Sequence, residues 1–97
     1  MRYVRVRWVH QFEDSPIDLY SEVDDQSQEV RKVEVFANGL MQFADQEQQT
    51  GDTWLGDEPF PTIEEIAEDP QFLPAMIDRD EFERVWKIAH QSSRSLV

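Results

Sequence analysis

Residues Glu29 to Ala44 read EVRKVEVFANGLMQFA, and two β-rich runs here flank Asn38-Gly39. Asn and Gly adopt positive φ at the two central positions of a tight turn at little steric cost. That favours a type I′ turn, whose twist matches that of the strands it joins. Val33 and Val35 share one face of the first run, and Val30, Lys32, Glu34 and Phe36 share the other. In the return strand Leu40, Gln42 and Ala44 oppose Met41 and Phe43. The result is a hairpin with one apolar side. A lone hairpin is marginal in water, so other parts of the chain must cover that side.

Upstream of the hairpin, Arg2 to Phe12 alternates. Val4, Val6, Trp8, His10 and Phe12 fall on one face, and Tyr3, Arg5, Arg7, Val9 and Gln11 on the other. Period two in a run rich in valine and aromatics is a strand signal, and it directs Trp8 to the core. Arg5 and Arg7 on the more polar face are expected to pair across strands with Asp18, Glu22 or Glu34. Glu13-Asp14-Ser15-Pro16 is a turn, since Asp and Ser side chains accept from nearby backbone and Pro16 cannot continue a ladder. Ile17 to Val23 alternates again, and Asp24-Asp25-Gln26-Ser27 leads into the hairpin. These strands form an antiparallel meander.

Downstream, Asp45 to Asp52 is a polar loop, and Thr53-Trp54-Leu55 is a candidate fifth, edge strand. GDEPFP, residues 56–61, is extended and carries the chain from sheet to helices. Thr62 and Glu65 have the spacing of a capping box, in which hydroxyl and carboxylate each satisfy an orphan backbone N–H. That predicts a helix over Thr62–Asp69, stopped by Asp69-Pro70. Gln71 to Ile77, interrupted by Pro74, is expected to be an apolar linker that packs down. A second helix, Asp78–His90, carries Phe82, Val85, Trp86 and Ala89 in one stripe. The expectation is one α+β domain over residues 1–97, with an antiparallel meander sheet of four or five strands covered on one face by two C-terminal helices. Residues 1–55 form the sheet, 62–90 the helical part, and 91–97 a frayed tail.

Charge restricts function more than any motif does. The chain has 21 acidic residues against 9 basic ones, a net charge of −12, so it repels nucleic acid phosphates and anionic membrane surfaces and attracts basic proteins. No Lys or Arg lies between Val33 and Asp78, where 11 acidic residues fall. Acidic surfaces also serve solubility alone. With no cysteine, disulfide and thiolate chemistry are out, and the chain suits a reducing cytoplasm. The N-terminus threads its basic residues through a strand pattern, unlike a signal peptide. A cytoplasmic protein is therefore expected.

Nucleotide-binding glycine motifs, H-E-x-x-H and G-x-S-x-G are absent from the sequence, so an enzyme is not expected. His10 and His90 read as structural or surface residues. Asp24-Asp25 and Asp57-Glu58 lack the spaced ligand pattern of an EF-hand. No metal or cofactor is expected. Trp54 has two readings: burial in the core, or an exposed aromatic ringed by carboxylates that forms a hot spot against a basic partner.

RYVRVRWVHQF, LYSEVD, EVRKVEVFANG, LGDEPFPTIEEI and DEFERVW, in that order, resemble a family of small bacterial proteins known only as a domain of unknown function. The resemblance covers roughly residues 1–88 and implies no activity and no catalytic residues. In size, charge and lack of a catalytic motif the chain is also similar to immunity proteins of toxin–immunity pairs, including contact-dependent growth inhibition systems. That second resemblance implies a protein that binds and neutralises a cognate toxin, a basic nuclease, by presenting carboxylates where phosphates would lie or by occupying a nearby surface. The alternative is a regulatory or scaffold domain for another basic protein or peptide. The expected partner-binding residues are Asp45, Glu47, Asp52, Trp54, Asp57 and Glu58. An exposed Thr53–Leu55 edge would serve a second copy or a toxin strand alike.

Overall fold

A computed structural model describes the backbone of residues 1–95 and the side chains of residues 1–91. Five strands form one antiparallel sheet: β1 Arg2–Trp8, β2 Asp18–Val23, β3 Glu29–Val35, β4 Met41–Ala44 and β5 Phe72–Ile77. Two helices follow the meander, α1 Ile63–Ala67 between β4 and β5, and α2 Arg79–Ser95 after β5. The sheet order is β4-β3-β2-β1-β5. The α+β class, the meander and the C-terminal helices are as the sequence indicates.

The fifth strand differs from expectation. Thr53–Leu55 is not in a strand, and the segment read as a linker, Phe72–Ile77, pairs with β1 instead. Pro74 is tolerated there for a geometric reason. The Val9 N–H donates to the Gln71 carbonyl, which sets the alternation of this ladder. Val6 and Pro74 then form a non-hydrogen-bonded pair, so the Pro74 nitrogen points outward and no ladder bond is lost. The tail also differs, because α2 runs on to Ser95. Residues 96–97 of the expected frayed tail lie outside the described residues.

The hairpin turn is not type I′. The Gly39 N–H donates to the Phe36 carbonyl, the Phe36 N–H donates to the Leu40 carbonyl, and Gly39 alone of the turn residues has positive φ, +90°. This is the three-residue hairpin form, with a left-handed glycine after the turn. Its consequence is register: Val33 faces Phe43 and Val35 faces Met41. A two-residue turn would have put Ala44 opposite Val33, and the apolar residues of the two strands on opposite faces.

The face bearing Tyr3, Tyr20, Val33 and Phe43 is covered by α2. Phe82 is fully buried against the Tyr3 ring, with centroids 5.5 Å apart. Ala89 joins Val33 and Phe43, and His90 stacks on Phe43 at 4.0 Å. The amphipathic stripe read from the sequence is this contact. Asp78 caps α2, its Oδ1 accepting from the Glu81 N–H at 2.8 Å.

Ion pairs on the same face tie β1, β2, β3 and α2 together. Asp18 is buried between Arg5 at 3.2 Å and Arg7 at 2.9 Å, one of the cross-strand pairings expected. Arg31 grips both oxygens of Glu22 (2.6 and 3.0 Å), reaches Glu83 on α2, and lies over the rings of Phe82 and Trp86. Burial works against the Glu22 carboxylate. Hydrogen bonds from Arg31 and Tyr3 outweigh it, and its pKa lies below the ordinary value. Burial first, and the neighbouring Glu22 second, push the Tyr3 hydroxyl up.

The opposite face bears Val4, Val6, Leu19, Ser21, Lys32 and Glu34. A strap formed by residues 50–61 crosses it, and α1 lies beside the strap on this side, not next to α2 as expected. The reason is the chain path, because α1 is short and leads directly into β5 through Asp69, whose carbonyl accepts from the Phe72 N–H at 3.0 Å.

Candidate functional site

The strap is built from the polar residues of β3. A register shift between β2 and β3 sets Glu29 opposite Val23. Such a bulge moves Glu29 onto the face of Lys32, three residues on, which regular alternation would forbid. Glu29 then accepts from the Ser21 hydroxyl at 2.7 Å and from the Gly56 N–H at 3.0 Å, with the Lys32 ammonium 3.9 Å away. Lys32 donates to the Trp54 carbonyl at 3.2 Å. Thr53, 1% exposed, hydrogen-bonds the Glu34 carboxylate and the Gln42 side chain. Farther along, the Phe60 N–H donates to the Ser27 carbonyl, and Arg2 donates to the Phe60 carbonyl and covers its ring. The polar face of β3 therefore holds backbone that has no strand partner of its own.

Under the strap lies a cleft of about 540 Å³. Its floor is Val6 and Leu19 from the sheet and Phe72 from β5, and its walls are Phe60 from the strap and Ile66 from α1. The polar groups at its back, Ser21, Glu29 and Lys32, satisfy one another as described. Acidic residues surround its mouth: Asp57 and Glu58 on the strap, Glu65 on α1 and Asp69 after it. The Thr62 backbone N–H and hydroxyl hold the Glu65 carboxyl below its ordinary pKa, which keeps it anionic. Both halves of the predicted capping box are present. A second, smaller hollow on the same face is lined by Glu13, Asp14, Glu34 and Asp52, with Pro16, Phe36 and Leu40.

The six expected binding residues fall into distinct places. Asp57 and Glu58 meet at the cleft mouth, and Asp52 borders the second hollow. Trp54 lies on the strap between them and is 61% exposed, so the core reading of this residue is overturned. Its neighbour Thr53 takes the buried position, where its hydroxyl reaches both the Glu34 carboxylate and the Gln42 side-chain oxygen. Asp45 is committed to its own loop, where Oδ1 accepts from the Glu47 and Gln48 N–H groups at 2.8 Å each. Glu47 is exposed in that same loop. The cleft floor was missed in the sequence. The cleft's lining comes from β1, β2, β3, the strap, α1 and β5, and only the fold brings it together.

Five basic side chains are engaged inside the fold: Arg5 and Arg7 with Asp18, Arg31 with Glu22 and Glu83, Lys32 with Glu29, and Arg2 with strap carbonyls. Arg79, Arg84 and Lys87 are exposed on α2. His10 packs against Trp8 and Phe12, and its Nε2 lies 2.7 Å from the Pro16 carbonyl; His90 is on α2 with Phe43 and Trp86. Among the described residues, no group of three or more His, Asp or Glu is arranged to hold a metal ion. None of the described helices is long and apolar enough to cross a membrane.

The fold and this face describe a small α+β domain with an acidic, partly apolar surface. The chain belongs to the family described as a domain of unknown function, DUF6881, whose model matches residues 2–91. No curated protein and no solved structure matches it.

Proposed function

We propose that the protein is a binding module for a basic protein partner, and specifically an immunity protein that neutralises a cognate bacterial toxin, a basic nuclease. The observation that carries this reading is the separation of charge across the sheet. Asp52, Asp57, Glu58, Glu65 and Asp69 are all exposed on the strap side, while Lys32 and Arg2 there are engaged inside the fold. Such a surface attracts a cationic partner and speeds its capture. Trp54 supports it further, since an exposed tryptophan among carboxylates is the residue type that dominates binding energy at interfaces.

Co-expression with the product of the adjacent upstream gene, followed by size-exclusion chromatography at low and high salt, tests this. A stoichiometric complex and suppression of toxicity in cells are expected. The triple variant Asp52→Lys/Asp57→Lys/Glu58→Lys should weaken the complex far more than it weakens the fold. Equal affinity for the triple variant would remove this surface. Several weak partners in place of one tight one would favour a scaffold domain.

A further inference from the structure

We infer that the cleft beneath the strap is the anchor pocket of this surface, receiving an apolar side chain from a partner segment that carries lysine or arginine on either side of it. The inference rests on the acidic-face reading above and specifies how that face recognises its partner.

Two features define the occupant. The first is the chemistry left unsatisfied in the cleft. At its back, Glu29, Ser21 and Lys32 bond one another and the strap backbone, so they present little to a newcomer. What remains is the apolar floor of Val6, Leu19 and Phe72 between Phe60 and Ile66. A volume of about 540 Å³ is within the range of ligand sites. The second feature is the mouth. Asp57, Glu58, Glu65 and Asp69 would repel an anionic or acidic visitor and would flank an inserted side chain with negative charge. An apolar anchor between cations meets both conditions. A second copy docked symmetrically by this face would set the same carboxylates against each other, which disfavours self-association here. Insertion of one leucine corresponds to roughly a tenfold to hundredfold gain in affinity over charge alone.

Gly56 supplies a means of closing the pocket. It lies on the lining, its φ is not in the left-handed region, and a Cβ built on it would lie 3.7 Å from Glu29 Oε1, an ordinary contact. A larger residue here fills the cleft from its Glu29 side without backbone strain.

The test is an NMR titration of the full isotope-labelled chain with three synthetic peptides. These are Gly-Lys-Lys-Leu-Lys-Lys-Gly, the same peptide with serine for leucine, and the same peptide with glutamate for every lysine. The leucine–lysine peptide should shift the amides of Leu19, Ile66 and Phe72 and bind at least about tenfold tighter than the serine peptide, with the glutamate peptide weakest. Gly56→Leu should reduce it to the level of the serine peptide, and Ile66→Ser, on the opposite wall, should do the same if the first variant folds poorly. Equal affinity of the leucine and serine peptides would overturn the anchor and leave the acidic-face reading standing. Equal affinity of the lysine and glutamate peptides, or no binding by any, would overturn both.

Discussion

Replacing Arg31 with methionine removes the side chain that joins β3 to both β2 and α2. The Arg31 side chain is 20% exposed and its main partner Glu22 only 10%, whereas Glu83 is 42% exposed. The bond to Glu83 is therefore worth less than about 1 kcal/mol. The larger effect is on Glu22, which stays buried without its guanidinium. Breaking a buried pair by removing one partner costs about 3–5 kcal/mol. Glu22 keeps its contact with Tyr3 and the field of Arg79, so the low end, about 3 kcal/mol, is expected. In a domain of this size that lowers Tm by roughly 12–24 °C. The double variant Arg31→Met/Glu22→Gln leaves no buried charge at this site, and methionine still packs on Phe82 and Trp86. It should recover about half the loss. Urea denaturation followed by tryptophan fluorescence measures Arg31→Met, Glu22→Gln and the double variant, with Trp86 reporting beside the site. If the double variant lost as much as the two single losses added together, Arg31 and Glu22 would be uncoupled. Arg31 would then act through its packing on the two rings, and the argument from a stranded carboxylate would be wrong.

Acid should act on the same pair. The folded pKa of Glu22 lies below the ordinary 4.5, so its stabilisation is present above that pH and is lost as pH falls toward the folded value. Urea midpoints of the wild type should drop more steeply in this acidic range than those of Glu22→Gln, and parallel curves would exclude Glu22 as the cause. Phe82→Ala, at a fully buried position packed on Tyr3 and Trp86, should cost about 3–5 kcal/mol in the same assay. Gly39→Ala should cost roughly 1 kcal/mol through φ alone, since a Cβ there meets nothing. Gly51→Ala should cost more, because its φ is also left-handed, +57°, and its Cβ would displace the end of the Gln42 side chain that accepts from the Thr53 hydroxyl; equal midpoints for the two glycine variants would contradict this.

Much of the fold is legible in local pattern. Alternation in Arg2–Trp8 and Asp18–Val23, the capping box at Thr62 and Glu65, and the apolar stripe of Phe82, Trp86 and Ala89 each depend on residues close in sequence. Those signals determine which segments become strand or helix and that α2 must cover a sheet. Composition determines the acidic character. The tertiary structure decided the rest. Asn38-Gly39 is compatible with two turn geometries, and the choice between them falls to the packing of Phe43 and Met41 against Val33 and Val35 under α2. Phe72–Ile77 is ambiguous by itself because proline argues against a strand; only an edge position beside β1 makes it one. Trp54 carried two readings in the sequence; the fold buries Thr53 in its place, with the small hydroxyl reaching the Glu34 carboxylate and the Gln42 side-chain oxygen, and leaves Trp54 exposed. The cleft was hidden because its lining comes from six separate segments, and periodicity reports which way a side chain points, not what stands opposite it.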